Sequence, residues 1–130
     1  MRSIYDAIKF LVSLVPATRT ASGNGTAVDT MGYSTAALVV QAGDIDTADG
    51  NETYAFSVEE SDDGSTGWAA VSGASTTITA DNQTKLVRVE GLGTSRKRYL
   101  RAVATLAGTT PSAPSTAIFA LGRAYREPVN

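Results

Sequence analysis

The sequence predicts an all-β protein folded as an antiparallel β-sandwich, of either the immunoglobulin-like or the Greek-key barrel type. Residues 52–59 alternate apolar and polar side chains with a period of two, which is typical of a strand with one face in the core. Residues 36–42 form a continuous apolar run bounded by turn residues, as expected for a central strand. Segments rich in Gly, Pro, Asn and Asp recur between such runs and supply the turns.

The first element is expected to be a short helix or arm over residues 1–16. Ile4, Ile8 and Leu11 recur at the spacing of one helical face. Pro16 follows this pattern and is expected to end the helix. The apolar stretch is shorter than the ~20 residues that a membrane-spanning helix needs, so we expect no membrane association.

The sandwich itself is expected to span residues 17–122, and residues 123–130 to form an extended C-terminal tail. Both ends of the chain could reach neighbouring subunits as arms or could cover the ends of the sandwich, and the sequence leaves both open. Apolar patterning predicts strands at 36–42, 52–59, 84–90, 98–107 and 116–121. The residues expected to fill the core are Leu38, Val40, Tyr54, Phe56, Val58, Trp68, Val103 and Phe119.

The composition argues against most catalytic and metal-binding chemistries. The 130 residues contain no Cys and no His, which removes disulfides, thiolate sites, His-ligated metals and the Ser-His-Asp triad. The net charge is −2, so no global basic field attracts nucleic acid. We therefore expect a non-enzymatic protein with no catalytic residues, no cofactor and no direct contact with nucleic acid.

One acidic loop is a weak candidate for a calcium site. Asp44, Asp46, Asp49 and Glu52 carry carboxylates, the hard oxygen ligands that calcium prefers. Their spacing is one residue off the EF-hand loop, and no flanking helices are evident. A solvated acidic loop without metal is therefore the main interpretation, and a calcium site is the alternative.

The sharpest local pattern is the segment Ser-Asp-Asp-Gly-Ser-Thr-Gly-Trp at residues 61–68. Gly64 tolerates a positive φ, and the Asp side chains can accept hydrogen bonds from nearby amides. The pattern therefore favours a hairpin turn over a ligand contact. Such a turn places Trp68, the largest apolar side chain, where the next strand begins.

Charge is unevenly distributed along the chain. Residues 29–63 contain acidic residues but no Lys or Arg, whereas residues 85–126 are basic apart from Glu90. If the fold separates the two halves, the molecule has an acidic pole and a basic pole through which copies could meet in a ring. If strands from the two halves interleave, the charges neutralise one another locally. The sequence leaves both arrangements open.

Three long segments carry a resemblance to a known family: residues 14–45, 56–71 and 97–129. The matching features are Asp29 with Gly32-Tyr33, Glu60-Ser61-Asp62-Asp63-Gly64, Arg98-Tyr99-Leu100-Arg101 and the tail from Ala124 to Val129. On these residues the chain resembles a family of small structural proteins of tailed bacteriophages, encoded among the head genes near the major capsid protein. The resemblance covers most of the chain and brings no catalytic residues with it.

The resemblance implies a capsid decoration protein, also called a cement or minor capsid protein, which binds the head shell and stabilises contacts between capsomers. Its implied partners are the major capsid protein and further copies of itself, in a trimer or another ring. Its implied location is the virion, assembled in the cytoplasm of a bacterial host. The residues expected to make capsid or subunit contacts are Ile4, Ile8, Leu11, Arg96, Arg98, Tyr125 and Arg126.

Two other functions remain open at this point. Small β folds also form head–tail connectors and tail-tube rings in virions of the same kind. Trp68, Tyr54 and the acidic loops would suit a carbohydrate- or receptor-binding module displayed on the particle.

Overall fold

The computed structural model describes residues 3–130, and its regular secondary structure is almost wholly β-strand. Its elements are α1 Ile4–Ala7, β1 Lys9–Arg19, β2 Gly23–Asn24, β3 Val28–Asp29, β4 Tyr33–Ala42, β5 Thr53–Ser61, β6 Ala69–Ile78, β7 Thr84–Glu90, β8 Tyr99–Ala107 and β9 Ala113–Ala124. The first sheet has the strand order β1-β9-β4-β7, and the second has the order β2-β8-β5-β6 with β3 also paired to β8. The two antiparallel sheets pack together, which confirms the predicted β-sandwich.

The core lies between the inner faces of the two sheets. At the centre of the first sheet β4 and β9 are neighbours, and Leu38 lies opposite Phe119 with both side chains fully buried. At the centre of the second sheet β5 and β8 are neighbours, and Phe56 lies opposite Ala104. Buried and outward residues alternate along all four strands, as the period of two in the sequence requires.

The N-terminal helix is much shorter than expected. It is the single turn α1, after which the chain runs as β1 along the edge of the first sheet. The helix prediction is wrong beyond Ala7 because the same apolar residues also fit a strand. Leu11 and Leu14 pack on the core, whereas Phe10 and Val12 are exposed on the opposite side. Pairing with β9 outweighs the local helical pattern.

The sandwich accordingly begins before residue 17, because β1 belongs to its first sheet. Pro16 lies inside β1, at an irregularity in the pairing with β9 between Leu14 and Ala17. An edge strand tolerates proline there because its outer side needs no ladder hydrogen bond. Residues 1 and 2 of the expected N-terminal segment lie outside the described residues. Among residues 3–130, no helix is long and apolar enough to cross a membrane.

Two of the expected core residues, Trp68 and Val103, are only half-buried. Val103 follows the buried Ala102 on β8, so its side chain points to the outer face of the second sheet. Trp68 packs on that outer side, where the guanidinium of Arg101 lies 4.3 Å from its ring centroid. The other expected core residues are buried: Leu38, Val40, Tyr54, Phe56, Val58 and Phe119.

The two ends of the chain are fastened to one another. The amide of Val129 donates to the carbonyl of Asp6 (3.0 Å). The side-chain amide of Asn130 donates to the carbonyls of Tyr5 and Ile8 (2.6 and 2.9 Å). The C-terminal tail therefore lies against the N-terminal turn.

Candidate functional site

Arg96, Arg98 and Tyr125, three of the expected contact residues, meet at one end of the sandwich. They line a cleft of about 330 Å³, which we call the end cleft and define by Met31, Tyr33, Gly93, Arg96, Arg98 and Tyr125. Arg126 borders an adjoining depression that shares Met31, Tyr33 and Tyr125 with the end cleft. Residues that are far apart in sequence thus form one surface.

The other expected contact residues do not join this surface. Ile4 is 72% exposed on α1. Ile8 lines a separate cavity against β4, β7 and β9. Leu11 is partly buried and packs against the core.

Three segments of backbone build the end cleft: the turn between β3 and β4, the loop between β7 and β8, and the chain after β9. The amide of Thr30 donates to the carbonyl of Arg98 (3.0 Å), which joins the first segment to the second. The amide of Tyr125 donates to the carbonyl of Gly32 (2.8 Å), which joins the third to the first. These backbone hydrogen bonds hold the cleft in one shape.

Two glycines are required by this geometry. Gly32 has a φ of 94° in the turn that presents Met31, a conformation that glycine adopts without strain. Gly93 has a φ of 80°, and a Cβ there would lie 2.6 Å from the hydroxyl oxygen of Tyr125. A larger residue at position 93 would therefore displace Tyr125 from the cleft.

A carboxylate fixes the side chain of Arg98. Its Nε and Nη2 donate to the two carboxylate oxygens of Asp29 at 2.8 and 2.7 Å, the two-pronged geometry that suits a guanidinium. The hydrogen bonds from Arg98 hold the pKa of the Asp29 carboxyl below its usual value. The same hydrogen bonds raise the pKa of the Arg98 guanidinium.

A second carboxylate fixes Arg96 and the strand that follows it. Arg96 Nη1 lies 3.2 Å from the carboxylate of Glu60, which is itself buried. The other oxygen of Glu60 accepts a hydrogen bond from the amide of Lys97 (2.7 Å). The Lys97 ammonium lies 3.8 Å from Asp62. The basic run at residues 95–98 is thus positioned by acidic partners.

The end cleft combines exposed apolar side chains with arginines that are paired to carboxylates. Met31 and Tyr125 are 67% and 66% exposed, and they project apolar surface beside arginines whose charge is already balanced. Sequence reasoning missed Met31 and Gly93. The signals were present, because Met31 is an apolar residue directly before a turn glycine, and Gly93 is one of two glycines closely spaced after a strand.

Several ion pairs join the basic half of the chain to the acidic half. Because β8 lies between β5 and β3, arginines of the basic half face carboxylates of the acidic half. Arg101 donates to Glu59 at 2.9 and 2.6 Å across the β5–β8 pair, in addition to the pairs at Arg96 and Arg98. At these pairs the charges neutralise one another locally, as expected where the two halves interleave, and the ring of copies stays a prediction.

The four carboxylates of the acidic loop do not cluster as the ligands of one metal ion would. Within residues 3–130 no group of three or more His, Cys, Asp or Glu side chains converges as metal ligands would. Asp46 instead accepts a hydrogen bond from the amide of Ala48 (2.9 Å), and its carbonyl accepts one from the hydroxyl of Tyr54 (2.6 Å). Both carboxylate oxygens of Glu52 are buried without a hydrogen-bond partner, and Asp44 and Asp49 are exposed.

The segment at residues 61–68 is a turn between β5 and β6 that is held by its own side chains. Asp63 accepts hydrogen bonds from the amides of Thr66 and Ser65 at 2.8 and 2.9 Å. These amides hold the pKa of the Asp63 carboxyl far below its usual value. Gly64 has a φ of 77° and packs on the ring of Tyr99. The hairpin interpretation therefore accounts for these residues without a ligand.

No protein-family model matches the chain, and a search of the curated proteins returned no match.

Proposed function

We propose that this chain is a non-enzymatic structural protein of a tailed-bacteriophage virion, and specifically a capsid decoration protein that binds the head shell. In this role it contacts the major capsid protein and stabilises the boundaries between capsomers. The end cleft is the surface that makes the contact, with Met31 and Tyr125 as anchors and Arg96, Arg98 and Arg126 around them.

The observation that carries the proposal is the convergence of the motifs on which the resemblance rests. Asp29 with Gly32-Tyr33, the Arg98–Arg101 segment and the start of the C-terminal tail are distant in sequence, yet they meet at the end cleft. Glu60 joins them through Arg96. The residues that carry the resemblance to phage structural proteins thus collect at one exposed end of the sandwich, which supports a binding surface there.

The physical character of the end cleft suits a permanent protein contact. Arginines that are already fixed by carboxylates lose little conformational entropy on binding, and exposed aromatic and methionine side chains are common anchors of interfaces. A sandwich without cysteine also needs no oxidising compartment and can fold where virions assemble. Neither alternative gains a specific observation, and one face of the Trp68 ring is covered by Arg101, which is unfavourable for carbohydrate stacking.

The test is to locate the protein in purified particles of the encoding phage by mass spectrometry and cryo-electron microscopy. The expected result is density on the outside of the head shell, with the end cleft against the major capsid protein. Absence from purified particles would overturn the proposal, and a hollow ring at the head–tail junction or in the tail would replace it with the connector or tail-tube function.

A variant at Met31 tests whether the end cleft makes the contact with the capsid. Met31→Glu places a charge on a residue that is 67% exposed, so folding is expected to be unaffected while particle binding is lost. Thr105→Glu is the matched control, because it adds the same charge at an exposed position of β8 outside the cleft. Equal occupancy of particles by both variants would exclude the end cleft as the capsid contact.

A further inference from the structure

The outer face of the first sheet carries a row of apolar side chains that runs from one edge to the other. The strand register aligns Val12, Ile118, Val39 and Leu86 in one row across β1, β9, β4 and β7. The next row contains Phe10, Ala120, Ala37 and Arg88. These residues alternate with the core residues on the same strands, so they all point away from the core.

This arrangement is unusual for a surface. An antiparallel sheet that covers a core on one side normally carries polar side chains on the other. Here Phe10, Val12 and Leu86 are 57%, 44% and 68% exposed. A continuous apolar patch of this kind on a folded chain marks an interaction site.

We propose that two copies of this chain pair through the outer face of the first sheet, about a two-fold axis that runs parallel to the strands between β9 and β4. Such an axis exchanges the two edges of the sheet while it keeps the rows aligned. Val12 of one copy then lies over Leu86 of the other, and Ile118 lies over Val39. The apolar row is thus complementary to its own reversed copy, as a two-fold interface requires.

The charges on this face favour a second copy as the partner. Arg88 and Glu90 lie at one corner of the face with opposite charges 3.9 Å apart, so two identical faces meet without net repulsion. The proposed axis places Arg88 of one copy over Phe10 of the other, where a guanidinium can stack on an aromatic ring. An axis perpendicular to the strands would instead place Leu86 over itself and leave Arg88 facing away from Phe10.

The size of the face indicates weak pairing. Four strands and the seven residues from Thr35 to Gln41 give a footprint of about 20 Å by 20 Å at ordinary strand spacings. That is about half of the ~800 Å² per partner found in standard stable interfaces. The dimer is therefore expected to form at high protein concentration, or where copies are already held close together.

The inference does not depend on the proposed virion function, because it concerns the purified chain alone and uses none of the residues that define the end cleft. Met31→Glu, which is expected to abolish particle binding, is expected to leave the dimer intact. Failure of one proposal is thus distinguishable from failure of the other.

Chemical crosslinking tests the predicted geometry, and the absence of native cysteine makes the experiment clean. Val12→Cys and Leu86→Cys are made as separate variants, one of them carrying a size tag. They are treated with a bis-maleimide of about 8 Å, because facing sheets lie about 10 Å apart. The expected product is a mixed crosslinked dimer when the two variants are combined, with little product from either variant alone. Predominant crosslinking of either variant to itself, or no crosslinking at all, would overturn the proposal.

Sedimentation equilibrium tests the affinity with a matched pair of variants. Leu86→Glu and Met31→Glu add the same charge at positions that are 68% and 67% exposed, on the outer face and in the end cleft respectively. Leu86→Glu is expected to raise the dimer Kd at least about tenfold, and Met31→Glu to leave it unchanged. Circular dichroism establishes that both variants are folded. A wild-type chain that stays monomeric at millimolar concentration, or equal Kd values for the two variants, would contradict the proposed pairing.

Discussion

Phe56 and Val103 lie on neighbouring strands of the second sheet but on opposite faces of it. Phe56 is fully buried, and Val103 points outward and is half-buried. We predict that Phe56→Ala lowers the free energy of unfolding by about 3–5 kcal/mol, because it removes a large core side chain and leaves a cavity. Val103→Ala is the control and is expected to cost about 1 kcal/mol or less. Urea denaturation measures both, and similar losses would contradict the assigned strand register.

Asp63 makes stability depend on pH. Its folded-state pKa lies far below its usual value because the amides of Thr66 and Ser65 donate to the carboxylate, whereas an unfolded Asp titrates near ~3.9. The unfolded state therefore binds more protons in acid, so this contribution is fully present above about pH 4 and is lost as pH falls through the folded-state pKa.

We therefore predict that Asp63→Asn flattens the dependence of unfolding free energy on pH below about 4. The measurement is urea denaturation at a series of pH values. Asp62→Asn is the control. The Asp62 carboxylate lies 3.8 Å from the Lys97 ammonium, whereas the amides of Ser65 and Thr66 donate to Asp63. Parallel pH profiles for wild type and Asp63→Asn would show that the turn amides do not stabilise the carboxylate.

At the scale of elements, one serine links the edge strand of the first sheet to the second sheet. Ser13 on β1 is buried, and its hydroxyl donates to the carbonyl of Thr26 (2.7 Å) and accepts from the amide of Ala102 on β8 (2.9 Å). Gly25 is required at this approach, because a Cβ there would lie 2.4 Å from the Ser13 hydroxyl oxygen. The edge strand is therefore held by a polar link as well as by its pairing with β9.

We predict that Ser13→Ala lowers the free energy of unfolding by about 1–3 kcal/mol, because a buried amide loses its acceptor. Ser72→Ala, at an exposed position of β6, is the control and is expected to stay within about 0.5 kcal/mol of wild type. Amide hydrogen exchange at Ala102 gives a second readout. Unchanged protection there in Ser13→Ala would exclude the proposed link.

Some of the strands could be predicted from the sequence and others could not. Strands β4, β5, β7 and β8 were predictable because their side chains face an apolar core on one side, which imposes a clear pattern. β1 was not, because Ile4, Ile8 and Leu11 fit a helical face equally well and only pairing with β9 decides the conformation. The start of β6 was predicted at Trp68, but its extent was not, because its small residues, Ala, Ser, Thr and Gly, alternate only weakly at a sheet edge. The sequence identifies contact residues one by one, among them Arg96, Arg98 and Tyr125. It does not show that they meet Met31, because that depends on three segments held together by contacts between residues far apart in sequence.

For the whole molecule, the most consequential feature is that the first and last strands are neighbours. β1 pairs with β9 from Lys9↔Leu121 to Arg19↔Ala113, and the chain ends are joined by hydrogen bonds of 3.0 Å or less at Val129 and Asn130. The N-terminal turn and the C-terminal tail therefore lie side by side. Joining the two ends and opening the chain elsewhere would change the order of the strands along the chain but not their pairing.

The closeness of the two chain ends predicts that the protein tolerates circular permutation. A short Gly-Ser linker from Asn130 to Ser3, with new ends in the exposed turn at residues 47–51, is expected to preserve the far-UV circular dichroism spectrum. The free energy of unfolding is expected to stay within about 2 kcal/mol of the original chain, because new ends at an exposed loop tip break few contacts.

A second permutant opened between Val39 and Val40 is the control. It interrupts the central strand of the first sheet, which pairs with β7 and β9 on its two sides, and it should fail to fold. If the first permutant also fails to fold, the close approach of the two chain ends described above is not the arrangement in solution.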